Sequence, residues 1–224
     1  MSDLLRLLRG GLIVSCQPVP GGPLDRPDIT AATALAVLDG GACGLRVEGI
    51  ANLRAVRSVT SAPIIGLIKV DLASSPVRIT PTVEDVRALI EAGADIVAFD
   101  ATDRERPQPL AQIIAAIRQS GRLAMADCAT VEDGRTARSL GVEILGSTMS
   151  GYVGDTAPEG PDLDLVGALA GVGGFVIAEG RYHVPALAAQ AMAAGADAVV
   201  AGSAITRPEH VTRWFVDAIR AGQP

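Results

Sequence analysis

The sequence predicts an α/β fold, a single (β/α)8 barrel of parallel strands with a short N-terminal helix, spanning residues 1–224. Three observations predict it. Apolar runs of strand length recur eight times along the chain, at 11–16, 44–47, 64–69, 96–101, 123–128, 144–148, 175–179 and 198–203. Segments with apolar residues at three- and four-residue spacing stand between them. The length of 224 residues lies near the lower end for such a barrel, and the composition, 49% hydrophobic with only 3% aromatic, supplies the Ala, Val, Ile and Leu that fill buried parallel strands.

Each element carries its own signals. Residues 1–9 set Leu pairs between Asp and Arg at helical spacing and pass through Gly10 and Gly11 into the first run, so a short helix is expected there. That stretch lacks a long apolar segment with a small-residue cleavage site, so no signal peptide is expected, and no window reaches the apolar length of a membrane span. The turn after the first run holds no G-x-G-x-x-G, which together with the count of eight favours a closed barrel over a doubly wound open sheet. Helices are expected over 83–92, 109–117 and 185–194 among others. Thr82 ahead of Glu84 and Asp85, Thr130 ahead of Glu132 and Asp133, and Pro208 ahead of Glu209 mark helix starts, where acids meet the positive end of the helix dipole. Ala92-Gly93-Ala94-Asp95, Leu140-Gly141-Val142-Glu143 and Ala194-Gly195-Ala196-Asp197 mark stops, each glycine placed to turn the chain into the next strand. On the last helix, Trp214 and Phe215 belong either to the core or to the face of a homodimer.

A formal charge of −6 argues against a general nucleic-acid binder, so an anionic ligand must meet a local positive site. Cys16, Cys43 and Cys128 are odd in number and have no C-x-x-C spacing, which suggests reduced thiols in a cytoplasmic protein and neither a disulfide framework nor a zinc site. With only His183 and His210 and no clustered carboxylates, no metal is expected. Cys128 reads as a small buried apolar residue, since no basic partner activates it.

In such a barrel the reactive groups stand at the C-terminal ends of the strands. Gln17 follows the first run, Arg46 ends the second and Lys69 the third; Asp100 and Asp103 follow the fourth, and Asp127 ends the fifth. Thr148 and Ser150 close the sixth, Glu179 closes the seventh, and Gly202, Ser203 and Arg207 follow the eighth. Lys69 and Glu179 each carry an ionisable group to the rim of an apolar interior. The third and seventh strands face each other across an eight-strand ring, so a ligand between these two residues is approached on both faces, the arrangement that inverts a stereocentre. The segment from Gly202 to Pro208 offers backbone N–H groups, hydroxyls and one guanidinium to an anion, with Gly180 supplying a similar turn after the seventh strand.

These residues resemble the N-acetylmannosamine-6-phosphate 2-epimerases of sialic acid catabolism over nearly the whole chain. The resemblance rests on Gly11-Leu-Ile-Val-Ser-Cys-Gln17, Pro63-Ile-Ile-Gly66 with Lys69, Pro76-Val-Arg-Ile-Thr-Pro81 and Ala98-Phe-Asp-Ala-Thr-Asp-Arg104. It continues through Met125-Ala-Asp127, Ser150-Gly-Tyr152, Ile177-Ala-Glu-Gly180 and Gly202-Ser-Ala-Ile-Thr-Arg207. It implies a TIM barrel with no metal or organic cofactor that interconverts N-acetylmannosamine 6-phosphate and N-acetylglucosamine 6-phosphate. The implied site is Gln17, Arg46, Lys69, Asp127, Glu179 and Arg207, with the lysine as the C2 acid/base and the arginine on the phosphate. Two positions depart from the family pattern: Val70 stands where an Arg often follows the lysine, and His183 where an Asn is common.

The C2 hydrogen of an N-acetylhexosamine becomes acidic once the ring opens to an aldehyde, because the carbanion is then delocalised as an enolate. Lys69 is assigned as the C2 base and Glu179 as its partner on the facing side, with Arg46, Gln17 and Asp127 orienting hydroxyls and the N-acetyl arm. A neutral lysine near pH 7 requires a pKa depressed from about 10.4, which the preceding apolar strand favours by desolvation. One base or two remain open at this level. The alternatives are another phosphosugar epimerase or isomerase barrel and a non-catalytic phosphosugar-binding protein; the fold alone does not choose among them.

Overall fold

The computed structural model describes residues 2–154 and 159–222; Met1, residues 155–158 and residues 223–224 of the expected 1–224 domain lie outside the described residues. Eight strands, β1 (Leu12–Cys16), β2 (Gly44–Glu48), β3 (Ile64–Leu67), β4 (Ile96–Asp100), β5 (Leu123–Asp127), β6 (Ile144–Gly146), β7 (Phe175–Glu179) and β8 (Ala198–Ala201), close into a barrel in sequence order. Every pairing is parallel, and β8 returns to β1 through Ile13 opposite Val200. The helices are α1 (Asp3–Leu8), α2 (Pro27–Asp39), α3 (Ile50–Val59), α4 (Val83–Glu91), α5 (Leu110–Gln119), α6 (Val131–Ser139), α7 (Leu163–Val172), α8 (Pro185–Ala193), α9 (Ser203–Thr206) and α10 (Pro208–Ala221).

Alternation along the strands sorts the apolar side chains into two cores. Ile13, Ile65, Leu67, Ile96, Met125, Ile144, Phe175 and Ile177 form the barrel interior, which Leu5 and Leu8 of α1 join. Val14, Leu45, Val47, Val97, Ala126, Leu145, Val176 and Val199 belong to the layer shared with the helices. At Gly44 a Cβ would stand 2.6 Å from Leu8 Cδ2, so only glycine lets α1 approach the sheet this closely.

The expected helix signals have a structural basis. Thr82 and Thr130 form capping boxes with Asp85 and Asp133. The acid two residues after each stop glycine then holds the preceding strand: Asp95 Oδ2 accepts from Ile64 N at 3.0 Å, Glu143 Oε2 from Ala124 N at 3.2 Å, and Asp197 Oδ2 from Val176 N at 2.8 Å. Arg57, Arg118 and Arg9 respectively pair with these acids.

Three strands stop two residues short of their apolar runs. β6 ends at Gly146 and β8 at Ala201, so Ser203 opens α9. β3 ends at Leu67, and Lys69 lies two residues beyond, in a segment that folds back on itself. There Lys69 bridges Ile79 in antiparallel fashion, Val70 N donates to Arg78 O at 3.0 Å and Thr80 N to Ile68 O at 2.9 Å. The chain leaves the parallel ladder because residues 76–80 take up its hydrogen bonds.

Candidate active site

A cavity of about 380 Å³ opens at the C-terminal ends of the strands. Its floor is Arg46, a fully buried guanidinium that β2 projects into the barrel. Arg46 makes a two-pronged pair with Asp127, Nη2 to Oδ2 at 2.7 Å and Nη1 to Oδ1 at 3.2 Å, and reaches Glu179 Oε2 from Nη1 at 3.2 Å. Thr148 Oγ1 lies 2.7 Å from Asp127 Oδ1 and 3.2 Å from Glu179 Oε2. The backbone of Glu179 is fixed by Ser147, whose hydroxyl lies 2.9 Å from Glu179 O and 3.0 Å from its N. Across the cavity Lys69 Nζ donates to Gln17 Oε1 at 2.7 Å, and Gln17 Nε2 donates to Ser15 Oγ at 2.8 Å.

Two of the ionisable groups that line the cavity, Lys69 and Glu179, are shifted in opposite directions. Desolvation lowers the Lys69 pKa, and the positive charges of Arg46 and Arg207 add to it against the pull of Glu179 and Glu48. Lys69 is open to the cavity by surface area, yet the surrounding walls keep its ammonium from bulk water. Burial raises the Glu179 pKa; Asp127 raises it further, while Arg46 and Lys69 oppose the rise. Burial also works against the Arg46 charge, but Asp127 and Glu179 outweigh it and raise the pKa of the guanidinium.

One side of the rim is shaped for an anion. Arg207 donates from Nε to Gln17 O at 2.7 Å, pairs with no carboxylate among the described residues, and lines the cavity beside Gly180, Gly202 and Ser203. The opposite rim holds Asp100, whose carboxylate takes Arg104 Nη2 at 2.6 Å and Thr102 Oγ1 at 2.5 Å. Among the described residues, no group of three or more His, Cys, Asp or Glu side chains is placed to hold a metal ion. Burial pushes the Cys16 thiol up to about 12 and raises that of Cys128 well above its ordinary value, which suits packing and not nucleophilic chemistry.

Comparison with known proteins supplies the family. The family model described as "Putative N-acetylmannosamine-6-phosphate epimerase" matches residues 30–221. The chain belongs to the N-acetylmannosamine-6-phosphate epimerase family. A relative from Yersinia pestis named "Putative N-acetylmannosamine-6-phosphate 2-epimerase" is 57% identical over 98% of this chain and 94% of its own length. One of the same name from Shigella dysenteriae is 58% identical over 94% of this chain and 92% of its own. The solved N-acetylmannosamine-6-phosphate 2-epimerase from Clostridium perfringens superposes with a TM-score of 0.94 at 37% identity, covering 97% of this chain and 96% of that one.

In this epimerase-family barrel, Gln17, Arg46, Lys69, Glu179, Gly180, Gly202, Ser203 and Arg207 all line one cavity. Asp127, expected among the groups that orient the sugar, is instead fully buried and outside the lining, its oxygens occupied by Arg46 and Thr148. Asp103 is exposed and also outside it. Reading strand ends missed Ser15, Pro76, Arg78, Ile79 and Tyr152, which reach the cavity from inside a strand or from loops. The Pro76 to Pro81 and Ser150 to Tyr152 motifs were the available signals for most of them. His183 lines the rim with its ring 4.6 Å from that of Trp214 on α10.

Proposed function

We propose that this chain is an epimerase that interconverts N-acetylmannosamine 6-phosphate and N-acetylglucosamine 6-phosphate by removing and returning the C2 proton. The observation that carries the reading is the placing of Lys69 and Glu179 in one cavity, from opposite sides of the ring, with opposed pKa shifts. Arg207 and the backbone N–H groups of Gly180, Gly202 and Ser203 hold the 6-phosphate. With the ring open, Lys69 takes the C2 proton on one face and Glu179 delivers one on the other, with Arg46 beside the developing negative charge. Neutral Lys69 with protonated Glu179 serves one direction, and ammonium with carboxylate serves the other. The two states hold the same number of protons, and the opposed shifts bring them closer in free energy, as a reversible epimerisation requires. Gln17 fixes the Lys69 ammonium, and Asp127 acts through Arg46.

Proton NMR of N-acetylmannosamine 6-phosphate with the purified protein in EDTA, without nicotinamide, tests this reading: the N-acetylglucosamine 6-phosphate signal grows to equilibrium. No conversion, or conversion that needs an added divalent metal, overturns it.

We also assign the chain to the cytoplasm, on its three unpaired cysteines, and to a homodimer through α10. That helix buries none of its residues, and Trp214, Phe215 and Ile219 are exposed on it. Sedimentation of Phe215→Glu as a monomer where the unsubstituted chain is a dimer would support the homodimer; equal masses would refute it.

A further inference from the structure

We propose that Thr148 is a positioning residue that holds Glu179 in its protonated form, giving its single hydroxyl hydrogen to Asp127 and turning its oxygen lone pairs to the Glu179 carboxyl. The inference rests on the acid/base role of Glu179 in the reading above. Thr148 stands two residues past the end of β6, half-buried in the cavity wall between two carboxyl groups. Its Oγ1 is 2.7 Å from Asp127 Oδ1 and 3.2 Å from Glu179 Oε2. A hydroxyl carries one hydrogen and can satisfy one ionised carboxylate at a time. The shorter contact takes the hydrogen. The longer one then brings two lone pairs together unless Glu179 carries a proton of its own, in which case it becomes a hydrogen bond donated by Glu179.

The remaining contacts fix which acid is ionised. Both Asp127 oxygens face the Arg46 guanidinium, so the charge belongs on Asp127. The groups facing Glu179 are Arg46 from β2, Lys69 beyond β3, Asp127 from β5 and Thr148 beyond β6. Arg46 and Lys69 favour the carboxylate, as would a hydrogen donated to it by Thr148; burial and Asp127 favour the acid. The single Thr148 hydrogen lies on the shorter contact, to Asp127. The Thr148 oxygen adds to the second side at the atom that carries the proton. The turn is built to allow it: a Cβ on Gly146 would stand 3.1 Å from Thr148 Oγ1, 3.4 Å from Asp127 Oδ1 and 2.6 Å from Met125 Cε, so the bare backbone leaves the space in which the hydroxyl meets Asp127.

The test is a carbon-13 NMR titration of carboxyl-labelled glutamate in the substrate-free protein, with the Glu179 signal assigned by its loss in Glu179→Gln. In Thr148→Val the midpoint falls by about one pH unit, in Thr148→Ala it falls likewise, and in Thr148→Ser it returns to the unsubstituted value. An unmoved or raised midpoint in the two hydroxyl-free variants means that the hydroxyl does not favour the acid, and overturns the proposal. A fall in Thr148→Ser, which keeps the hydroxyl, equal to that in Thr148→Val means that any change of packing at this position lowers the midpoint, and also overturns it. Because the titration uses no substrate, its outcome stands apart from the turnover assay, whose failure would remove the reading of the site and leave the protonation result in place.

Discussion

Arg46 sets the electrostatics of the site, because it is a permanent charge with almost no solvent and its two acidic partners differ in kind. Asp127 meets it with both oxygens and is fully buried, whereas Glu179 meets it with one and keeps the other side toward the cavity. Removing the Asp127 charge leaves Arg46 only the weaker partner, so Asp127→Asn is expected to cost about 3 kcal/mol, measured by urea unfolding. The same change removes a negative neighbour that raises the Glu179 pKa, so the Glu179 midpoint falls with it. Glu179 itself links stability to pH. Its folded pKa is raised above the unfolded value, so its contribution is complete below about pH 4.3 and is lost as pH rises through the folded pKa. The melting temperature of the unsubstituted protein minus that of Glu179→Gln should therefore fall between acid and neutral pH; a difference that rises over this window would contradict the direction of the shift. At the rim, Arg207→Ala is expected to raise KM for the 6-phosphate substrate about 10- to 100-fold with a smaller change in kcat, as loss of a charge-assisted hydrogen bond requires.

Among the elements, the helix ends were legible in the sequence because each is specified by neighbours in the chain. A threonine three residues ahead of an aspartate, at the start of a helical apolar pattern, signals a capping box from the local sequence, and the glycine stops place their following acids on the adjacent strand. The fold-back between β3 and α4 was not legible, because its apolar Ile68 continues the pattern of the strand before it and only pairing with residues twelve positions away ends the strand. Thr80 secures that pairing at a price in backbone strain. It is buried with φ at 46°, a region that β-branched residues avoid, and its hydroxyl donates to Ala98 O at 2.7 Å and accepts from Ile68 N at 3.3 Å. Thr80→Ala keeps the unfavourable φ and loses both bonds, so it is expected to destabilise the protein by about 2 kcal/mol. Because Lys69 bridges Ile79 in the same fold-back, kcat should fall as well. An unchanged urea midpoint would show that the hydroxyl does not hold this segment.

At the scale of the whole molecule, the barrel brings together residues as far apart in sequence as Gln17 and Arg207, bonded at 2.7 Å. Strand ends in a closed ring form one circle, which is why about half of the cavity lining could be read from the residues that close or follow each apolar run. Depth within the barrel could not be read in this way: Asp127 and Glu179 both end strands and both touch Arg46 and Thr148, and only the folded packing, with both Asp127 oxygens on Arg46, distinguishes the buried acid from the one at the cavity. The same ring fixes the expected isotope pattern. In the proposed two-base scheme Lys69 and Glu179 act from β3 and β7, four strands apart, and the proton removed on one face is then not the proton returned on the other. In deuterium oxide the product should therefore carry deuterium at C2. Lys69→Ala should lose turnover by about 10²–10⁴-fold, and exchange with it. Glu179→Gln separates the roles, because a glutamine cannot deliver a proton: conversion should stop while one of the two epimers still exchanges its C2 hydrogen through Lys69. If exchange and conversion fell in equal proportion for both epimers, Glu179 would be an orienting group, and a single base would have to serve both faces.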